Sequence, residues 1–207
     1  TTLQLHDGGD SVYDRLKALH TRLSDIDHPV VLGGYDIGRD VDGPIYVATE
    51  QLGVASLCEV KNVSVRTSLR WTLELLHGID AAHQRGVVHG DIGKHVVLLE
   101  PGLDGELHAR LVDFVVGVVR DAADGPTPGV SEDIRGVTKL LFELLCGRPP
   151  GDVEQALVPR KGLEVPPALA EIVLRELEDP TAYPSALELA RMLEPLSRMS
   201  AAFDVDE

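Results

Sequence analysis

A chain of 207 residues can bury one good hydrophobic core with a small second lobe beside it. Its formal net charge of −15 and the lack of any long Lys/Arg run exclude a surface built for nucleic acid. No run of about 18 apolar residues occurs, so direct membrane insertion is not expected, and the opening residues do not have the charged-then-apolar pattern of a signal peptide.

Two cysteines, Cys58 and Cys146, lie far apart without metal-type spacing, which reads as a reduced, cytoplasmic protein with two small buried thiols. The first residue is Thr rather than Met, as in a domain cut from a longer protein that could itself be membrane-bound. The acidic excess is read as a solvated surface, and a charged partner would be basic.

From the N-terminus, Thr2 to His6 have the pattern of a short strand, and the DGGDS segment turns the chain into a helix capped at Asp10 or Ser11. Val12, Leu16, Leu19 and Leu23 then fall on one face of that helix. VVLGGYDIG and PIYVATE read as the two strands of a hairpin joined through RDVDG, with Asp42-Gly43 at the turn. Beyond QLGVAS, Leu69, Leu73, Leu76 and Ile79 mark one face of a long helix that ends before Gly86. VVHGDIGKHVVLLE and ARLVDFVVGVV are expected as short apolar strands around a turn at PGLDGE. A loop, DAADGPTPG, leads to a helix with Ile134, Val137, Leu141 and Leu144 on one face, stopped by CGRPPG. Two more helices follow, one around Leu169, Ile172, Val173 and Leu177 and one around Leu187, Ala190 and Leu193, before an acidic tail.

In this order the motifs resemble a eukaryotic-type Ser/Thr protein kinase of the bacterial kind, from its third N-lobe strand to its last C-lobe helix. His89-Gly90-Asp91 stands where that family has His-Arg-Asp, and Asp113-Phe114-Val115 where it has Asp-Phe-Gly. SEDIRGVTKLLFELLCGRPP is similar to the family's central-helix segment, and DPTAYPSALELARMLE resembles its DPxxRPS segment. The resemblance implies an α+β, kinase-like fold. Residues 1–50 would be a truncated N-lobe of strand, helix and hairpin, 51–199 a mainly helical C-lobe, and 200–207 the tail. It also implies that Asp91 stands at the catalytic-base position, His89 at one that braces backbone, and Asp113 at that of a metal ligand. Asp133 would be buried and bonded beneath the catalytic loop.

Phosphoryl transfer is mostly positioning and charge stabilisation, so departures from the family's ligand set matter. Gln4 takes the position of the phosphate-pairing Lys, and a neutral amide supplies no charge. No Glu precedes Glu50, and Asp14 is the nearest substitute on the first helix. Two residues after Asp91 the family's Lys is Gly93, and five after it the metal-binding Asn is Val96, which has no oxygen for a cation. Lys94, one place out of register, reads as a surface charge. Val115 replaces a Gly. About twenty residues separate Asp113 from Asp133, without Ala-Pro-Glu, and the Arg that pairs with that Glu is Tyr183. Losing both partners spares the fold a stranded buried charge.

The expectation is therefore a non-enzymatic pseudokinase, a scaffold with no cofactor. Asp91, His89 and Asp113 would be vestigial, and Gln4, Gly93, Val96 and Val115 degenerate positions. Asp91 would only hydrogen-bond the turn between two strands. A protein partner or a second copy would dock on the uncovered N-lobe remnant. Thr127, if phosphorylated, could recruit a forkhead-associated domain. Two alternatives stand beside this. One is a divergent phosphotransferase using Asp91 and Asp113, since HGD is also the spelling of aminoglycoside and choline kinase-like enzymes. The other is an active kinase completed by an upstream segment.

Overall fold

The computed structural model describes residues 2–5, 10–32, 36–39, 45–48, 55–114, 128–151 and 156–200. Strands β1 (Thr2–Leu5), β2 (Asp36–Arg39) and β3 (Ile45–Ala48) form an antiparallel sheet in the order β1-β3-β2. Strand β3 alternates as a half-buried strand should, with Ile45 and Val47 buried and Tyr46 and Ala48 less so. Helix α1 (Asp10–Ser24) lies between β1 and β2 in the chain and buries Leu16, Leu19 and Leu23, the face set by their spacing.

Only part of the expected hairpin is strand. The described ladder on this side of the sheet is Asp36–Arg39, while Val30 and Val31 bond elsewhere. Val31 makes a parallel bridge to Leu111, and the Leu111 N–H donates to the Val30 carbonyl at 2.7 Å. Two apolar β-branched residues read as one strand's interior because burial, not sheet membership, is what their pattern encodes. The Asp42-Gly43 turn and His6 lie outside the described residues.

A second sheet, in the order β4-β5-β6, is made of β4 (Ala55–Ser56), β5 (Val97–Pro101) and β6 (Leu107–Leu111). The two-residue β4 is too short to leave a period in the sequence. Ser56, at its end, accepts a bond from the Cys58 N–H and starts a single 3₁₀ turn over Leu57–Glu59. Leu57 takes the buried place in that turn and leaves Cys58 exposed, while Cys146 is half-buried at the end of a helix. The expectation of two buried thiols is thus corrected: the more apolar neighbours occupy the core.

Below this sheet pack four helices: α2 (Val65–Gln84), α3 (Val130–Cys146), α4 (Pro167–Glu178) and α5 (Ala186–Ser200). Helix α2 is the hub, lying against α3, α5 and β6, and α4 packs on α3. Ser64 caps α2 by accepting from the Thr67 N–H. Trp71 is buried and its indole N–H donates to the Leu107 carbonyl at 2.7 Å, which seats the β5–β6 hairpin on α2. Helix α3 stops at Gly147, in the left-handed region at φ 74°, before the prolines are reached. On α5 the buried face is Ala186, Leu189, Ala190 and Leu193; Leu187, expected there, is only half-buried. Among the described residues no helix is long and apolar enough to cross a membrane.

Leu75 is wholly buried where α2 meets its neighbours, so Leu75→Ala is expected to lower unfolding free energy by about 2–5 kcal/mol in urea denaturation. A second prediction concerns Glu176 on α4. It is fully buried, and Arg135 donates to its main-chain carbonyl rather than to its carboxylate. Burial pushes its carboxyl up to about 7, against the pull of Arg135. The folded value lies above the unfolded value of 4.5, so the stabilising proton is fully in place below the latter and lost as pH rises through about 7. Thermal unfolding across this range should show Glu176→Gln matching wild type in acid. Above neutrality the variant should exceed it, by at most about 3 kcal/mol.

Candidate functional site

The segment from Val87 to Val96 is held from below by one carboxylate. Helix α2 ends at Gln84, Gly86 adopts φ 67°, and the chain doubles back with Val87 buried. Asp133, in the first turn of α3 and 1% exposed, faces this loop. Its Oδ2 accepts from the His89 N–H at 2.9 Å and its Oδ1 from the Gly90 N–H at 2.7 Å. His83 Nε2 reaches Oδ2 at 2.8 Å. Gly136, one turn along α3, brings the helix close against Ile92: a Cβ there would lie 3.0 Å from the Ile92 carbonyl oxygen.

His89 is completely buried. Its Nε2 lies 2.8 Å from the Val112 carbonyl, its Nδ1 accepts from the Asp91 N–H at 3.3 Å, and its ring tilts onto Phe114 with centroids 4.8 Å apart. Burial lowers its pKa, against the bond to Val112 and the nearby carboxylates, which pull the other way. A neutral ring with its proton on Nε2 satisfies both contacts. His89 therefore ties the loop before Asp91 to the strand end before Asp113, two segments from distant parts of the chain.

Asp91 projects from the loop with its side chain 54% exposed, and its Oδ2 is 3.3 Å from Nε2 of the exposed His95. The bond to turn backbone expected of this carboxylate is replaced by that contact with His95. Lys94 does not point into solvent as a lone surface charge: it pairs with Glu143 of α3 at 2.9 Å. Val96 is buried, and its carbonyl accepts from the Val112 N–H. Asp113 sits at φ 66°, a left-handed conformation that costs a non-glycine residue of order 1 kcal/mol and is tolerated best by Asp and Asn. Gln4 lies on β1 opposite Tyr46, and Asp14 on α1 is exposed. Val115 and Thr127 fall outside the described residues.

These positions test the nucleotide site that a kinase fold implies. Residue 93 has no side chain, residue 96 is a buried hydrocarbon, and among the described residues no group of three or more His, Cys, Asp or Glu could hold a metal ion. Among the described residues, positions 93 and 96 therefore offer no ligand to a cation.

The folded frame is nonetheless shared with kinases. The Mycobacterium tuberculosis PknI kinase domain superposes with a TM-score of 0.67 at 21% identity, over 94% of this chain and 84% of that one. This chain has a protein-kinase-like fold. The same fold is found in the AtMLKL3 tetramer, with a TM-score of 0.72 and 20% identity over 97% of this chain and 42% of that one. In sequence, the kinase-like domain is 31% identical over 152 residues to the Ser/Thr protein kinase PkaA of Streptomyces coelicolor, covering 59% of this chain and 28% of PkaA. It is 28% identical over 154 residues to the Ser/Thr protein kinase PrkC of Bacillus subtilis, covering 65% of this chain and 24% of PrkC. The chain thus spans about a quarter of the length of these curated relatives. No protein-family model matches it.

The relatives overturn one expectation. The kinase-like domain was expected to be a non-enzyme, yet the proteins it matches are named as Ser/Thr protein kinases. Individual ligands had been weighed more heavily than the frame beneath them. That frame includes His83, which the sequence reading missed although Leu76, Ile79 and His83 step along one face of α2 and so place a histidine on a buried stripe.

Because Asp133 satisfies three donors away from water, Asp133→Ala strands them, and a loss of about 3 kcal/mol or more is expected in chemical denaturation. Asp133→Asn keeps one acceptor oxygen and should lose less.

Proposed function

We propose that the kinase-like domain serves as a regulatory domain that docks another protein on its upper sheet. The observation that carries this is the sheet order β1-β3-β2, in which each outer strand has one edge without a partner strand among the described residues. Such an edge offers main-chain donors and acceptors to an added strand, whether from a partner or from a second copy.

A second reading is favoured by a different observation. His83, Asp133 and His89 form a hydrogen-bonded brace under Asp91, and Asp113 keeps a left-handed conformation. In that reading the domain transfers phosphate, as its relatives are named for doing, with Asp91 as proton acceptor and Asp113 as the cation ligand. Docking and transfer are compatible in one domain, and their relative weight is measurable.

A thermal-shift titration with ATP and Mg²⁺ on wild type and Asp113→Ala, paired with sedimentation, separates them. The docking reading expects self-association or partner binding that a competing strand peptide reduces, whatever the response to nucleotide. Nucleotide at about a hundred times its Kd would add about 2.7 kcal/mol, a shift of several degrees. Such a shift, abolished in Asp113→Ala and accompanied by phosphate transfer lost in Asp91→Asn, establishes the second reading, whereas a chain that stays monomeric and captures no partner overturns the first.

A further inference from the structure

Away from the cleft, the hairpin β5–β6 carries a histidine with an unusual pair of neighbours. His108 on β6 has both ring nitrogens against carboxylates: Nδ1 is 2.7 Å from Glu74 Oε1 on α2, and Nε2 is 3.1 Å from Asp104 in the turn that joins the strands. A neutral imidazole donates at one nitrogen only, so making both contacts as hydrogen bonds requires the imidazolium.

The turn is shaped around this contact. A Cβ at Gly102 would lie 2.5 Å from both Cδ2 and Nε2 of His108, so a larger residue there would displace the ring from this contact. Asp104 Oδ1 also accepts from the Glu106 N–H at 3.0 Å, and Gly105 takes φ 81°. Glu74 is fixed in turn, its Oε2 accepting from the Ala109 N–H at 2.7 Å. The other charges nearby are paired among themselves: Arg70 of α2 with Glu106 at 2.8 Å, and Arg110 with Glu100, which lies directly across the ladder from His108.

We propose that His108 is a proton-operated latch, which ties the β5–β6 turn to helix α2 when both ring nitrogens carry protons and releases the turn when one is lost. The shorter bond to the less exposed Glu74 keeps the remaining proton on Nδ1. Nε2 then turns a lone pair toward the Asp104 carboxylate, and that contact becomes repulsive. Release loosens the turn that carries Leu103, a fully exposed leucine. The hydrogen bonds from Glu74 and Asp104 raise the His108 pKa from 6.5, so the latch is closed below that value and opens as pH rises through the higher folded value.

The test is an NMR titration of the His108 ring nitrogens from about pH 5 to about pH 9, with backbone ¹⁵N relaxation of Leu103 to Glu106 in wild type and Asp104→Ala. In wild type, His108 is expected to titrate above 6.5, and the turn amides to be ordered below that midpoint and to lose order above it. In Asp104→Ala the midpoint moves down and the turn is equally mobile at both ends of the range. A wild-type midpoint at or below 6.5, or turn order that is the same on both sides of the midpoint, overturns the latch.

Discussion

Three donors converge on the carboxylate of Asp133, and without it a loop, a helix end and a second helix would meet with their polar groups unpaired. A buried loop is expensive because its backbone cannot reach water. Here the expense is met by placing one charged acceptor at the N-terminal end of α3, where the helix's own unpaired N–H groups favour negative charge. The consequence is geometric. Once His89 and Gly90 are pinned, Asp91 has one place to be, and His89 passes that constraint on to Val112 and the strand end before Asp113. The frame and the side chains it displays are therefore separable: Gly93 and Val96 can differ from a kinase's residues without disturbing what holds them.

A comparable separation is visible at α4. Tyr183, standing where the kinase pattern has Arg, is buried, and the Arg175 guanidinium lies 5.7 Å from its ring centroid. The positive charge has moved from inside to the helix surface, while Glu176 has brought a carboxyl into the interior beside Arg135. The buried ion pair of the family pattern is replaced by aromatic packing and a carboxyl that is most stable with its proton on. The interior keeps its volume and changes its charge inventory.

The helices were legible because their leucines repeat with a period long enough to register: α3 and α4 buried the faces their spacing marked, and α2 did so except at Leu73, which is half-buried. The short strands were legible only where a turn signal or the family pattern framed them. β4 has two residues, and Val30 and Val31 carry a strand's composition while bonding to a different sheet, which no local pattern can announce. At the site, His89 and Asp133 were readable from the order of motifs, since their partners are backbone groups that any sequence provides. The contacts of Lys94 with Glu143 and of Asp91 with His95 depend on loop geometry and side-chain reach, and were not. The enzyme class was misjudged for a related reason. A list of missing ligands is easy to read in a sequence, whereas the relatives named as Ser/Thr protein kinases, which overturn that expectation, resemble the chain over a stretch longer than any one motif.

The bridge between Val31 and Leu111 joins parts of the chain that a lobe-by-lobe description keeps apart. Leu32 donates to the Leu111 carbonyl and Leu111 donates to Val30, so the segment leaving α1 is stitched to β6 two residues before Asp113. A molecule that pulls on α1 from outside has a short mechanical linkage to that carboxylate, through main-chain bonds that no side-chain substitution removes. The upper sheet and the strained aspartate are in this sense one lever, with its fulcrum at Leu111.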